Sequence, residues 1–207
     1  MCGIIGIQGN KYRNISKSID LLKHRGPDDD GIYLNERNSL SLGQTRLSIL
    51  DISNAGHQPM THNATGVKII FNGEIYNYLE LKKNLIQDGF KFVSNTDTEV
   101  LISTYLKYGL DMFKKINGIF SFAIWDPRNE SLLITRDKSG VKPLYYSNSD
   151  DNFIFSSEIK SMLPLIGRKE LNRNSLNKYL TYLYCPGNET PIKSIFKMNP
   201  ADVFIIR

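Results

Sequence analysis

The chain has 207 residues, with 26 Lys and Arg against 21 Asp and Glu, which gives a net charge of +5 at neutral pH. This length suits one domain with a sizeable core. The basic excess forms no long run and is not interleaved with aromatic residues, so the composition argues against nucleic-acid binding. No apolar stretch reaches the roughly 18 residues of a membrane span, and no basic leader resembles a signal peptide.

Two cysteines, Cys2 and Cys185, are present. They are too few for a disulfide-stapled secreted fold and cannot alone form a four-ligand zinc site. The sequence therefore predicts a soluble cytoplasmic protein with no metal site and no membrane partner.

The first residues, MCGIIGI, place a cysteine directly after the initiator methionine and before an apolar run that predicts a buried strand. If Met1 is removed, Cys2 carries both a thiol and a free α-amine. Such an amine ordinarily titrates near pH 8 (about 7.7–8.0) and can take the proton of a thiol, so one residue can supply nucleophile and base. The alternative is a small buried apolar residue, which is the commoner role of a cysteine in such a run.

Apolar periodicity and turn residues predict the elements of the first half of the chain. In order these are a strand at the start, a helix over 17–24, a turn at RGPDDDG, two strands between 31 and 50, a polar loop over 51–66, strand-like residues on both sides of Asn72-Gly73, and a helix over 77–88 closed by Gly89.

In the second half, Thr96-Asp97-Thr98-Glu99 is a capping-box pattern that predicts a helix ending at Gly109. A hairpin with a five-residue loop is predicted at 126–130. Strands over 144–147 and 152–157, helices over 157–163 and 175–184, and a last strand over 202–207 follow. Strands outnumber helices and pair mostly through hairpins, which favours antiparallel sheet with helices layered outside it in one domain.

Eight short motifs occur in order along the chain: MCGIIGI, HRGPDDDG, TRLSILD, GHQPM, FNGEIYNY, TDTEV, NGIFSFAIWD and RDKSGVKPLYY. Together they resemble the glutaminase domain of class II glutamine amidotransferases, most closely the amino-terminal domain of glutamine-hydrolysing asparagine synthetases. The resemblance runs from Cys2 to Arg207 and makes 1–207 one glutaminase domain. It implies an α+β fold, a four-layer α/β/β/α sandwich of two antiparallel sheets of the amino-terminal-nucleophile hydrolase type.

The resemblance also implies a reaction. Cys2 would attack the side-chain amide of glutamine, release ammonia and leave a γ-glutamyl thioester that water hydrolyses to glutamate. The Asn72 side-chain amide and the Gly73 backbone N–H match the family's oxyanion hole, where preorganised donors stabilise the developing negative charge. Asn-Gly between two strand-like runs is also the strongest short hairpin signal, so a tight turn is the competing interpretation.

Free glutamine presents an α-carboxylate and an α-ammonium, and Arg46 and Asp97 match the residues that bind them in relatives. The planar guanidinium of Arg46 fits a carboxylate through two hydrogen bonds. Asp97 would also be favoured by the helix dipole, as an acid in a first turn. The resemblance adds glutamine contacts from Leu47, Ser48, Ile49, Leu50 and Glu74.

Other conspicuous residues receive structural interpretations. The three histidines have no metal-ligand spacing, and an amino-terminal nucleophile needs no histidine base, so structural or surface roles are expected for His24, His57 and His62. Relatives place GHQPM in a mobile loop that closes over glutamine. Cys185, which precedes Pro186-Gly187, is expected to be an unreactive loop thiol.

Full-length asparagine synthetases continue into a domain that uses ATP and Mg²⁺ and carries a glycine-rich SGGxDS loop, whereas this chain contains no Gly-Gly pair. The resemblance thus implies no cofactor for this domain, glutamine as its substrate, a C-terminal synthetase domain as its partner, and allows a homodimer. Two alternatives stay open: an acceptor other than aspartate, such as a sugar carboxylate, and a catalytically silent regulatory domain. A Cys–His thiol protease is less favoured, since no histidine-bearing motif supports it.

Overall fold

The computed structural model describes residues 1–149 and 151–207. Its strands are β1 (Gly3–Gly9), β2 (Asp29–Asn35), β3 (Leu40–Arg46), β4 (Met60–Thr61), β5 (Lys68–Ile75), β6 (Gly118–Asp126), β7 (Ser131–Arg136), β8 (Tyr145–Ser149), β9 (Asn152–Ser156), β10 (Phe196–Lys197) and β11 (Val203–Ile206). Its α-helices are α1 (Ser16–Asp20), α2 (Tyr78–Gln87), α3 (Asp97–Tyr108), α4 (Ile159–Met162) and α5 (Arg173–Tyr182), with short 3₁₀ helices at Tyr12–Asn14, Asn54–Gly56 and Gly109–Lys114.

The strands form two antiparallel sheets. One sheet has the order β10-β8-β9-β1-β3-β2 and the other has the order β11-β7-β6-β5-β4. The first strand of the chain is therefore internal, because β1 pairs with both β3 and β9. In the second sheet β5 pairs with β6 along the whole length of one edge. Along its other edge, β4 pairs with only the first two residues of β5.

Three apolar cores separate four layers, since side chains of a strand alternate between its two faces. On β5, Ile70 packs between the two sheets and its neighbour Phe71 packs beneath α2 and α3. On β1, Ile4 packs between the sheets and Ile5 packs beneath α1 and α4. The predicted α/β/β/α sandwich is confirmed.

Most predicted elements are present with shifted ends. The capped helix is confirmed: the N–H of Glu99 donates to Thr96 Oγ1 at 3.2 Å, and Gly109 ends α3 with a φ of 54°. The hairpin of β6 and β7 is also confirmed, but its loop has four residues, 127–130, because Asp126 is the last residue of β6 and pairs with Ser131. The helices predicted over 17–24 and 157–163 were too long, because only α1 and α4 form there. The sequence did not indicate β4 or β10.

The tight turn considered for Asn72-Gly73 is wrong, because both residues lie inside the continuous strand β5. Gly73 pairs with Phe120 of β6. A Cβ atom at Gly73 would lie 2.3 Å from the carbonyl oxygen of Ile119, so the glycine permits a close backbone approach between strands.

Across the described ranges, the structure contains no helix that is both long and apolar enough to cross a membrane.

Candidate active site

Residues from both sheets meet at one cavity of about 150 Å³. Cys2 leads into β1 and Arg46 ends the neighbouring strand β3, whereas Asn72 and Gly73 belong to β5 of the other sheet. The wall is completed from the loop after β3, from the start of α3 and from Lys142. The lining residues are Met1, Cys2, Arg46, Leu47, Ile49, Leu50, Gly56, Gln58, Phe71, Asn72, Gly73, Glu74, Thr96, Asp97, Thr98 and Lys142.

The size of the cavity suits a small metabolite. One water needs roughly 10–15 Å³ in this measure, so the cavity has room for a ligand of on the order of ten non-hydrogen atoms. Its lining is also bipolar, with the cations Arg46 and Lys142 and the anions Glu74 and Asp97. These properties suit a small ligand that carries both charges.

The thiol of Cys2 lies at this cavity in a half-buried position. Its Sγ accepts from the N–H of Leu47 at 3.5 Å and lies 3.8 Å from the carbonyl oxygen of Leu47. The carbonyl oxygen of Cys2 accepts from Arg25 Nε at 2.9 Å, and Arg25 Nη1 pairs with Glu158 at 2.9 Å. The main chain of Cys2 is thus anchored while its sulfur faces the cavity.

The other cysteine, Cys185, lies outside the cavity lining. Cys185 is buried, and its Sγ donates to the carbonyl oxygen of Ser175 at 3.4 Å. The expectation that this thiol has no catalytic role stays a prediction.

The open edge of β5 presents one free donor to the cavity. The N–H of Phe71 donates to Gln58 Oε1 at 2.7 Å, and that of Ile75 donates to Asp97 Oδ2 at 3.0 Å. Gly73 lies midway between them, and N–H groups two residues apart point to the same side of a strand. The Gly73 N–H therefore points outward from the same edge, and no acceptor for it lies among residues 1–149 and 151–207.

The side chain of Asn72 provides a second donor beside this edge. It is 1% exposed, and its Nδ2 donates to Ser121 Oγ on β6 at 3.5 Å. Only one of the two Nδ2 hydrogens is used in that contact, because a carboxamide nitrogen carries two. The lining of the cavity that Cys2 shares thus includes two residues with neutral donors, one from the backbone and one from a side chain.

Arg46 is buried at 5% exposure and binds the loop that follows β3. Its Nη1 donates to the carbonyl oxygen of Ser53 at 3.2 Å, and its Nη2 donates to that of Leu50 at 3.1 Å and to that of Asp51. A Cβ atom at Gly56 would lie 2.0 Å from Nη2, so glycine leaves space for the guanidinium. In this structure Arg46 organises the loop around the cavity.

Asp97 is a buried carboxylate, 6% exposed, at the start of α3. Burial is the largest cause that raises the pKa of this carboxyl, backbone hydrogen bonds from Ile75 and Thr98 lower it, and the nearby negative charge of Glu74 raises it; the net pKa is about 6. No cationic side chain among the described residues pairs with it. A buried carboxylate of this kind would be stabilised by a cationic ligand.

The structure brings together most of the predicted site residues. Cys2, Arg46, Leu47, Ile49, Leu50, Asn72, Gly73, Glu74 and Asp97 all line the cavity. Ser48 is not among the lining residues, and its N–H donates to Asp28 Oδ2 at 2.7 Å. The roles that the resemblance gives these residues remain predictions.

The three histidines lie outside the lining. His24 Nε2 lies 2.9 Å from Glu158 Oε1, His57 Nδ1 lies 2.8 Å from Asp29 Oδ2, and His62 Nδ1 lies 3.0 Å from Thr65 Oγ1. Across the described parts of the chain, no three His, Cys, Asp or Glu side chains cluster in a way that could hold a metal ion.

Three residues that support the cavity were not identified from the sequence: Arg25, Asp28 and Gln58. Arg25 and Asp28 lie in the HRGPDDDG motif, and they anchor Cys2 and the loop after β3. The motif indicated that this segment belongs to the pattern shared with the family, but it did not indicate which atoms Arg25 and Asp28 bind. Gln58 belongs to GHQPM, and its contact with Phe71 has no local sequence signature.

Comparisons with known proteins identify the family of the chain. The family model described as a glutamine amidotransferase domain matches residues 1–207. The first match among solved structures, glutamine phosphoribosylpyrophosphate amidotransferase from B. subtilis, superimposes with a TM-score of 0.68 at 21% identity, over 78% of this chain and 43% of that one. The fold is that of the amino-terminal-nucleophile hydrolases, and the chain belongs to the glutamine amidotransferase family.

Within this family, the chain is similar to curated glutamine-hydrolysing asparagine synthetases. Asparagine synthetase [glutamine-hydrolyzing] 1 of Bacillus subtilis (strain 168) is 36% identical over 100% of this chain and 34% of its own length. Putative asparagine synthetase [glutamine-hydrolyzing] 2 of Methanocaldococcus jannaschii is 40% identical over 96% of this chain and 42% of its own. The chain thus spans less than half the length of these relatives.

Proposed function

We propose that this domain hydrolyses glutamine to glutamate and ammonia through a thioester on Cys2. We further propose that the ammonia serves ATP-dependent asparagine synthesis from aspartate in a C-terminal synthetase domain. The names of the curated relatives support this assignment, as does the part of their length that this chain does not span. The observation that carries the proposal is the unpaired Gly73 N–H beside Asn72, on the cavity that also exposes the Cys2 thiol.

The proposed reaction begins when Met1 is removed and the α-amine of Cys2 becomes free. The amine takes the thiol proton, and Sγ attacks the amide carbon of the glutamine side chain. The Asn72 Nδ2 and the Gly73 N–H stabilise the oxygen that becomes negative; loss of one such donor costs about 3–4 kcal/mol of barrier. The C–N bond then breaks, the proton passes to the leaving nitrogen, and ammonia departs. Water hydrolyses the γ-glutamyl thioester and regenerates the thiol.

The two charged groups of the substrate's amino-acid end would pair with charged residues of the cavity. The α-ammonium would lie against Asp97, with Glu74 adding negative potential, and would lower the pKa of that buried carboxyl again. The α-carboxylate would lie near Arg46 and the backbone of Leu47–Leu50. Because Arg46 also binds loop carbonyl oxygens, carboxylate binding and loop order would be coupled.

The test compares Cys2→Ala with the matched control Cys185→Ala in chains freed of Met1. Ammonia release from glutamine should be abolished in Cys2→Ala and kept in Cys185→Ala. Added hydroxylamine should divert wild-type product to the γ-glutamyl hydroxamate, since it captures the thioester. Equal ammonia release by both variants would refute the proposal, as would a folded wild type that releases no ammonia.

A further inference from the structure

We infer that Gln58 is a positioning residue that holds the oxyanion donors of β5 in register with the Asp97 site and with Cys2. The inference rests on the proposed glutaminase function and assigns a role to a residue that does not itself react. Gln58 is 4% exposed and lines the cavity through a side chain whose two polar atoms are both bonded.

The carboxamide of Gln58 takes the place of a missing strand residue. Strand β4 begins at Met60, which pairs with Ile69 of β5. The next N–H of β5 that points to the same edge belongs to Phe71, and no residue of β4 pairs with it. Gln58 Oε1 accepts it at 2.7 Å. A carboxamide has the donor and acceptor arrangement of a peptide group, so this side chain continues the ladder along the edge of β5.

That contact lies next to the proposed oxyanion hole. Phe71 directly precedes Asn72, and Gly73 carries the next N–H along the same edge. With the Phe71 donor satisfied by Gln58 and the Ile75 donor satisfied by Asp97, Gly73 alone stays free to face a ligand. Gln58 therefore holds the backbone of β5 on one side of the free Gly73 N–H.

The other end of the carboxamide reaches the ammonium site. Gln58 Nε2 donates to Thr98 Oγ1 at 3.3 Å, and Thr98 directly follows Asp97 at the start of α3. One planar group thus joins the strand that bears the oxyanion donors to the helix that bears the buried carboxylate. The spacing between these two parts of the cavity depends on it.

The backbone of Gln58 is held against the opposite sheet. A Cβ atom at Gly31 of β2 would lie 2.2 Å from the carbonyl oxygen of Gln58, so the two segments are in close contact. The adjacent His57 pairs with Asp29 at the start of β2. Cys2 directly precedes β1 of that sheet and Gly73 belongs to the other sheet, so Gln58 connects the sheet next to the nucleophile with the sheet that bears the oxyanion donors.

The chemistry of Gln58 decides which substitutions separate positioning from packing. Gln58→Met keeps a long unbranched side chain but leaves the Phe71 N–H buried without an acceptor. Gln58→Glu keeps an acceptor for the Phe71 N–H, and burial beside the acidic residues of the cavity favours its protonated form, whose O–H can donate to Thr98 as Nε2 does. Gln87→Met, at an exposed glutamine that ends α2 and does not line the cavity, makes the same chemical change as a control.

The experiment measures kcat and KM for glutamine and the inhibition constant of glutamate γ-semialdehyde, an aldehyde whose adduct with Cys2 carries a tetrahedral oxyanion. Gln58→Met should lower kcat by about 10- to 100-fold, since small displacements of reacting groups cost up to that much. It should weaken the binding of the aldehyde by a similar factor and leave KM within about threefold of the wild-type value. Gln58→Glu should recover most of kcat, and Gln87→Met should match the wild type.

Normal kcat and aldehyde affinity in Gln58→Met would overturn the inference while leaving the glutaminase proposal intact. The inference would also be overturned if Gln58→Met lowered kcat, raised KM and lowered thermal stability together and Gln58→Glu restored none of them, because that pattern indicates packing alone. A wild type that releases no ammonia would overturn both proposals.

Discussion

Asp97→Asn should stabilise the protein while impairing its function. The buried carboxyl has a pKa of about 6 against an ordinary 3.8. The folded protein therefore binds this proton more tightly than the unfolded chain does, and stability contributed by the protonated group is lost as the pH rises through about 6. At about 1.4 kcal/mol per pH unit, ionisation at neutral pH costs up to about 3 kcal/mol of the free energy of unfolding.

Asparagine removes this cost and keeps an oxygen that can accept the Ile75 N–H. We expect Asp97→Asn to raise the free energy of unfolding by about 1–3 kcal/mol at pH 7.5, with the gain shrinking towards zero near pH 4. Loss of the carboxylate also removes the proposed ammonium partner, so KM for glutamine should rise by about 10- to 100-fold, as for a charged hydrogen bond.

The assay is urea unfolding at several pH values between 4 and 7.5, followed by the fluorescence of Trp125, which is buried at 1% exposure. Asp30→Asn, at an exposed position on β2, is the control and should change stability little at any pH. A variant at Asp97 that is less stable than the wild type at pH 7.5, or whose effect does not change with pH, would refute this reasoning.

Three further outcomes follow from the cavity's contacts. Gly73→Ala would place a Cβ 2.3 Å from the Ile119 carbonyl oxygen, so kcat should fall by about 100-fold or more with reduced thermal stability; a wild-type kcat would be contradictory. Gly56→Ala should displace the Arg46 guanidinium and raise KM about tenfold, with kcat within about threefold, in steady-state kinetics. KM should also rise as the pH falls below about 6, because protonated Asp97 cannot pair with an ammonium; a flat KM profile between pH 5 and 8 would argue against that contact.

Local signals predicted the local parts of the fold. The Thr96 cap and Gly109 end of α3, and the hairpin of β6 and β7, depend on residues close together in sequence and were predicted correctly. The ordered motifs predicted the four-layer architecture and the grouping of Cys2, Arg46 and Asp97 at one cavity.

The remaining features depend on contacts between distant residues. Asn72-Gly73 has the composition of a tight turn, and only its pairing with β6 makes it part of a strand. The N–H of Gly73 is free because β4 pairs only with the first two residues of β5, while Gln58 and Asp97, distant in sequence, bind the donors on either side of it. The contacts of Arg46 with its following loop likewise depend on a fold that brings three carbonyl oxygens to one guanidinium.

The central claim is a glutaminase whose nucleophile and base both belong to Cys2. Its most direct test is the intact mass of the purified chain, measured on the same samples whose initial rate of ammonia release is recorded. Chains that lack Met1 should be active and alone should form a γ-glutamyl adduct on Cys2 when quenched during turnover. Full activity in chains that keep Met1 would contradict the free-amine mechanism.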